Sequence, residues 1–156
     1  VMAACLKFAQ ARLSSPTIEQ WGAKAGIEMD PSYFEPILQE YQRRRDTVMN
    51  GLAQIPGVVC KVPKGAFYVI AKLPIEDAEN FAKWLLTDFS HNNNSVLVAP
   101  AAGFYANPGR GKNEIRISYV LEVEKLRVAM LTLAEAIAQY KKVENNTNEK
   151  VNSANA

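Results

Sequence analysis

The chain has 156 residues, 48% of them hydrophobic and 22% charged, with a net charge of +2. That suits one ordinary globular domain, burying roughly 68–70% of its unfolded surface. The near-neutral balance gives no electrostatic case for nucleic acid or an anionic membrane, and no run of about eighteen apolar residues offers a transmembrane helix.

Val1–Leu13 reads as helix from its first residue. No Ser, Thr, Asp or Asn precedes it to cap the free N–H groups, and its apolar start lacks the basic leader of a signal peptide. A chain that begins inside a helix is expected to be the C-terminal piece of something longer. Ser14-Ser15-Pro16 should stop this helix and start the next, with Ser15 as N-cap and Pro16 in the first helical position. Ile18, Trp21 and Ala25 share one face of the second helix. Asp30-Pro31-Ser32 breaks the chain again, and a long helix is expected from about Ser32 to Gln54. Its apolar stripe includes Phe34, Ile37, Leu38, Tyr41, Val48, Met49 and Leu52, and Pro36 fits only in its first turn. Arg43-Arg44-Arg45 reads as a solvated helix face. Cys5 and Cys60 lie in apolar surroundings without C-x-x-C spacing. They are expected as reduced core thiols of a cytoplasmic protein.

After Pro56-Gly57 come two strand-like stretches, Val58–Val62 and Ala66–Ala71, joined by Pro63-Lys64-Gly65 and suited to a hairpin. A helix over about Glu76–Phe89 follows, then an apolar stretch Ser95–Ala99, expected as a central strand. Pro100–Lys112 is a glycine-rich loop that carries Phe104 and Tyr105. Asn113–Val120 alternates, placing Ile115, Ile117 and Tyr119 on one face and Glu114, Arg116 and Ser118 on the other. A last helix is expected over about Glu122–Tyr140. From Lys141 the chain turns Asn-, Lys- and Glu-rich and reads as a disordered tail. The whole is expected as α+β: a small, four-stranded, partly antiparallel sheet covered by helices. The expected divisions are helices over residues 1–31, the α+β layer over 32–140 and the tail over 141–156.

The chemistry this chain can hold is narrow. His91 is the sole histidine and sits in an Asn-rich turn, so neither a Ser-His-Asp triad nor a zinc ligand set is available, and no metal site is expected. The loop glycines do not form G-x-G-x-x-G, and no P-loop spacing occurs. Arg116 on a strand presents a rigid, permanently charged fork that suits a carboxylate or phosphate. A plain surface arginine is the commoner outcome of that pattern. Spacing leaves both readings open, just as it leaves the Phe67-Tyr68 and Phe104-Tyr105 pairs between pocket wall and core.

Several motifs then coincide in order and spacing: Tyr41-x-x-Arg-Arg-Asp, Leu52-x-x-Ile-Pro-Gly-Val, Pro-x-Gly-Ala-Phe-Tyr at Pro63–Tyr68, Val-Leu-Val-Ala-Pro-Ala-Ala-Gly-Phe-Tyr at Val96–Tyr105, and Ile-Arg-Ile-Ser-Tyr at Ile115–Tyr119. The set resembles the C-terminal part of a fold-type I, class I aminotransferase dependent on pyridoxal 5'-phosphate, and is most similar to the aspartate-aminotransferase branch. The likeness covers about Val1–Tyr140. It implies transfer of an amino group between an amino acid, aspartate first, and a 2-oxo acid, in a homodimer. It implies that Arg116 grips the substrate carboxylate, with Phe104 and Tyr105 as pocket wall and the Gly65–Tyr68 turn in the small-domain core. The family's cofactor lysine stands in a Ser-x-x-Lys context, and no serine here has lysine three residues on. No catalytic or cofactor-binding residue is therefore expected in this chain, which should be inactive alone. Two other readings remain: the ligand-sensing, aminotransferase-like domain of a non-catalytic regulator, and a free-standing interaction module.

Overall fold

The structure is a computed structural model that describes residues 1–11 and 15–154, with side chains described through residue 146. It divides into two compact units, Val1–Leu38 and Gln39–Ala156.

The first unit holds helices α1 (Met2–Ala11) and α2 (Thr17–Ile27) and a 3-10 turn, Pro31–Phe34. The expected stop at Ser14 lies outside the described residues. Ser15 is not the N-cap. Pro16 takes that position without a side-chain cap, while the Ser15 carbonyl accepts from Gln20 Nε2 at 2.8 Å. Asp30 caps the 3-10 turn by accepting from the Ser32 N–H at 2.8 Å. No residue of α1 or α2 is buried, and Phe8 and Trp21 are exposed. Cys5 is therefore an exposed thiol, not a core one. An apolar residue on a helix is buried only where another element covers it.

The second unit carries α3 (Glu35–Ala53, which begins in the first unit), β1 (Val59–Cys60), β2 (Tyr68–Lys72), α4 (Ala78–Thr87), β3 (Ala99–Pro100), β4 (Glu114–Ser118) and α5 (Val123–Ala154). Pro36 falls in the first turn of α3, where its missing N–H costs nothing. The strands form one sheet in the order β1-β2-β4-β3, with every neighbouring pair antiparallel. The fold is the α+β layer expected. The hairpin is looser than its sequence suggests, because the first pair is Cys60↔Ala71 and residues 61–67 form the connection. The stretch before β3 is not a central strand. β3 lies at the sheet edge, and Leu97 is 81% exposed. Its apolar run reflects contact of Val98 with the helical layer rather than burial on both faces.

Val69 and Ala71 of β2 and Ile115 and Ile117 of β4 point into the core. They meet Val48 and Leu52 of α3, Phe81 and Leu85 of α4, and Leu126, Leu133, Ile137 and Tyr140 of α5. α3 and α5 approach closely at Gly51, where a Cβ would come within 2.6 Å of the Met130 side chain. Gly51→Ala is expected to cost about 1–3 kcal/mol by overpacking, read as a fall in the urea midpoint.

α5 does not end at Tyr140 but runs on to Ala154. No Gly or Pro follows Gly111 to stop it, and each added residue gains a bond without a new nucleation step. Glu144 also ties this stretch down by accepting the Glu76 N–H at 3.0 Å. Burial among neighbouring acidic groups holds its carboxyl above the usual range.

Candidate functional site

The core side of β4 fixes its other face. With Ile115 and Ile117 buried, Glu114, Arg116 and Ser118 must point the opposite way. The register sets Ile70 of β2 and Ala99 of β3 on either side of Arg116, and Tyr68 opposite Ser118. The open sheet face thus carries Tyr68, Ile70, Lys72, Glu114, Arg116 and Ser118, all half-buried or exposed. The Gly65–Tyr68 turn is not core: Phe67 and Tyr68 are 53% and 40% exposed.

Arg116 is held from several directions. Its guanidinium carbon lies 4.9 Å from the centre of the Phe104 ring and 5.6 Å from that of Tyr68. Its Nε is buried and has no hydrogen-bond partner, and none of the ion pairs among the described residues includes it. Arg44 differs: it is spent on Glu40 and on the Val120 carbonyl. A buried donor without an acceptor is costly and uncommon, and the rest of the guanidinium has no anionic partner among the described residues. Arg116 also lines one wall of a largely apolar groove of about 530 Å³, together with Val98, Ser118, Leu126 and Leu133. No other charged residue lines that groove among the described residues.

The loop before β4 is pinned to the sheet at both ends. The Ala101 N–H donates to the Glu114 carbonyl at 2.8 Å, and the Phe104 N–H closes a 3-10 turn onto Ala101 at 3.0 Å. At the far end the Ala78 N–H donates to the Lys112 carbonyl at 2.8 Å, and the Leu73 N–H to that of Asn113 at 2.8 Å. This anchoring brings Phe104 to Arg116. It takes Tyr105 elsewhere: its hydroxyl donates to Glu114, which raises the phenol's pKa, and its ring packs on Gly111. Gly111 has φ +70°, and a Cβ there would meet the Tyr105 ring at 2.5 Å. Gly111→Ala is expected to destabilise the chain by about 1–3 kcal/mol, since it adds both backbone strain and overlap; thermal or urea melting checks this.

On the far side, Tyr119 fastens the turn before β2. Its N–H donates to the Phe67 carbonyl at 2.9 Å and its buried hydroxyl to the Ala66 carbonyl at 3.0 Å. Ala66 has φ +63°, a conformation unfavourable for a side-chain-bearing residue, so the turn needs such fastening. Tyr119→Phe is expected to cost about 1 kcal/mol in a urea melt.

Spacing leaves Tyr68 between pocket wall and core and gives Tyr119 only as part of an apolar face; their contacts with Arg116 and with the turn come from the structure. The signal was period two: Tyr68 shares a face with Ile70 and Lys72. What spacing lacked was the register that sets this face beside Arg116.

The family model described as aminotransferase class I and II matches residues 1–148. The aspartate aminotransferase of Musicola paradisiaca is 36% identical over 127 residues, covering 78% of this chain and 29% of that protein. That of Pyrococcus horikoshii is 37% identical over 106 residues, covering 66% and 25%. The chain therefore spans less than a third of the length of these two relatives. Among solved structures, the aspartate aminotransferase of Rhizobium meliloti matches with a TM-score of 0.65 at 28% identity, over 84% of this chain and 34% of that one. The α-aminoadipate aminotransferase LysN of Thermus thermophilus, complexed with N-(5'-phosphopyridoxyl)-L-leucine, matches with a TM-score of 0.70 at 25% identity, over 90% and 37%.

Proposed function

The chain belongs to the class I and II aminotransferase family, and from that premise we propose that it is the substrate-carboxylate-binding part of an enzyme that moves an amino group between an amino acid and a 2-oxo acid. Arg116 is the residue that binds. The observation that carries this reading is a guanidinium on the open face of the sheet with no ion pair among the described residues. A guanidinium held there can give two parallel N–H bonds to a carboxylate. Fixing one end of the amino acid restricts rotation about its Cα, which aligns the bond to be broken. Phe104 walls the place where that carboxylate would sit, and Tyr105 braces the loop that carries it.

Pyridoxal 5'-phosphate is the cofactor of the proposed enzyme, and it supplies the electron sink for the reaction. The residues of this chain do not fit its attachment. No Ser-x-x-Lys occurs, and Lys112, the lysine at the loop end, pairs with Asp77. The cofactor is therefore assigned to the remainder of the full-length protein, and this chain alone is expected to be inactive. The exposed apolar residues of α1 and α2, among them Phe8, Ile18 and Trp21, support such a remainder covering them.

Aspartate is the first substrate to try, since the aspartate aminotransferases of Musicola and Pyrococcus are both more than a third identical to this chain. A homodimer follows from the family resemblance. The cytoplasm fits two free cysteines, and no described helix is long and apolar enough to cross a membrane. The test is an assay of the full-length protein with aspartate and 2-oxoglutarate, reading oxaloacetate and glutamate. Turnover is expected. No transfer from any amino acid tried would contradict the reading and favour a ligand-sensing domain.

A further inference from the structure

We infer that Tyr68 and Phe104 are positioning residues for Arg116: their rings hold its guanidinium in one orientation on the sheet face, ready for a carboxylate. The inference rests on the carboxylate-receptor reading of Arg116. It adds which side chains make that receptor rigid.

Three observations converge. Both rings lie within reach of a cation–π contact, 4.9 and 5.6 Å from the guanidinium carbon. Neither ring is a core residue, since Phe104 is 58% exposed and Tyr68 is 40% exposed. Packing into the interior therefore does not explain their placement. The Arg116 Nε is nonetheless buried. On an open sheet face, that shielding needs side chains laid against the arginine, and these two are the rings recorded against it.

Each ring is itself fixed. Tyr68 sits on β2, diagonal to Arg116 across the β2–β4 ladder, and meets Phe67 edge-to-face with centres 6.0 Å apart. Phe67 in turn lies 6.5 Å from Tyr41, which carries Arg44 over its ring. Phe104 comes from the 3-10 turn anchored to Glu114, two residues before Arg116. Two separate elements thus converge on one guanidinium. An arginine side chain has many rotamers, and immobilising it in advance lowers the entropy lost when a ligand binds.

The test uses the 156-residue chain with 15N-labelled arginine. Exchange of the Arg116 Nε–H with solvent is followed by NMR, with exposed Arg127 as the internal reference, and sodium acetate is then titrated in. In the unsubstituted chain Arg116 should exchange more slowly than Arg127, and acetate should move its resonance. Tyr68→Leu should speed Arg116 exchange towards the Arg127 rate and weaken acetate binding about two- to fivefold. Tyr68→Phe, which keeps the ring, should preserve both, and neither variant should shift the melting temperature appreciably. Phe104→Leu should act like Tyr68→Leu. Exchange and acetate affinity unchanged in both leucine variants would overturn the inference while leaving Arg116 as receptor. No acetate response in the unsubstituted chain would defeat the receptor reading, and this inference with it.

Discussion

Arg116→Lys in the full-length protein is expected to lower kcat/KM for aspartate about ten- to hundredfold while the cofactor stays attached. The charge survives this substitution, so long-range attraction of the substrate is retained. What is lost is the planar fork. One ammonium offers a single point of contact where a guanidinium offers two parallel bonds, and hydrogen bonds to charged groups contribute about 1.5–3 kcal/mol. The shorter-reaching lysine also loses the ring contacts with Phe104 and Tyr68. Part of the loss should appear in KM, because the carboxylate is bound in substrate and transition state alike. Part should appear in kcat, because a loosely held amino acid is misaligned for Cα chemistry. Cofactor absorbance, measured on the same sample, separates this from a damaged fold. Full activity towards aspartate and every other amino acid tried would contradict the assignment.

Phe81→Ala is expected to be the most damaging single change to stability, at about 3–5 kcal/mol. Phe81 is fully buried and joins α4 to α5 through rings: its centre lies 6.2 Å from that of Trp84, nearly parallel, and 5.1 Å from that of Tyr140, edge-on. Trp84 and Tyr140 meet each other as well, 5.2 Å apart. Removing the central ring leaves a cavity that the two rigid rings cannot collapse to fill. A loss of this size is a large fraction of the about 5–15 kcal/mol that holds an ordinary domain together. Leu131→Ala on α5 is the control: that side chain is 72% exposed, and its loss should cost no more than about 0.5 kcal/mol. Urea denaturation of both variants checks the pair. Equal losses would mean that the core is not where these residues place it.

Much of the fold was legible because burial leaves a periodic trace. Ile115, Ile117 and Tyr119 alternate in the sequence, and all three are buried. Pro36 announced the first turn of α3. The legible part of the site was Arg116, whose sheet face follows from its neighbours. The illegible part depends on register and on loops. Nothing local says that Tyr68 pairs opposite Ser118, because strand pairing is settled between distant segments. Nothing local separates Phe104 from Tyr105, two adjacent rings that the 3-10 turn sends to different partners, one to Arg116 and one to Glu114. Composition reads the end of the chain without its partners, for a related reason. It registered few apolar residues after Tyr140 and could not show that Glu144 would reach back to cap the Glu76 N–H.

The central claim is that Arg116 receives the substrate carboxylate, and a crystal structure of the full-length protein with bound maleate, an unreactive dicarboxylate, tests it most directly. One maleate carboxylate should accept two parallel N–H bonds from the Arg116 guanidinium, at about 2.7–2.9 Å, with Phe104 and Tyr68 still against that group. Maleate bound with both carboxylates on other residues, and Arg116 left without an acceptor, would contradict it.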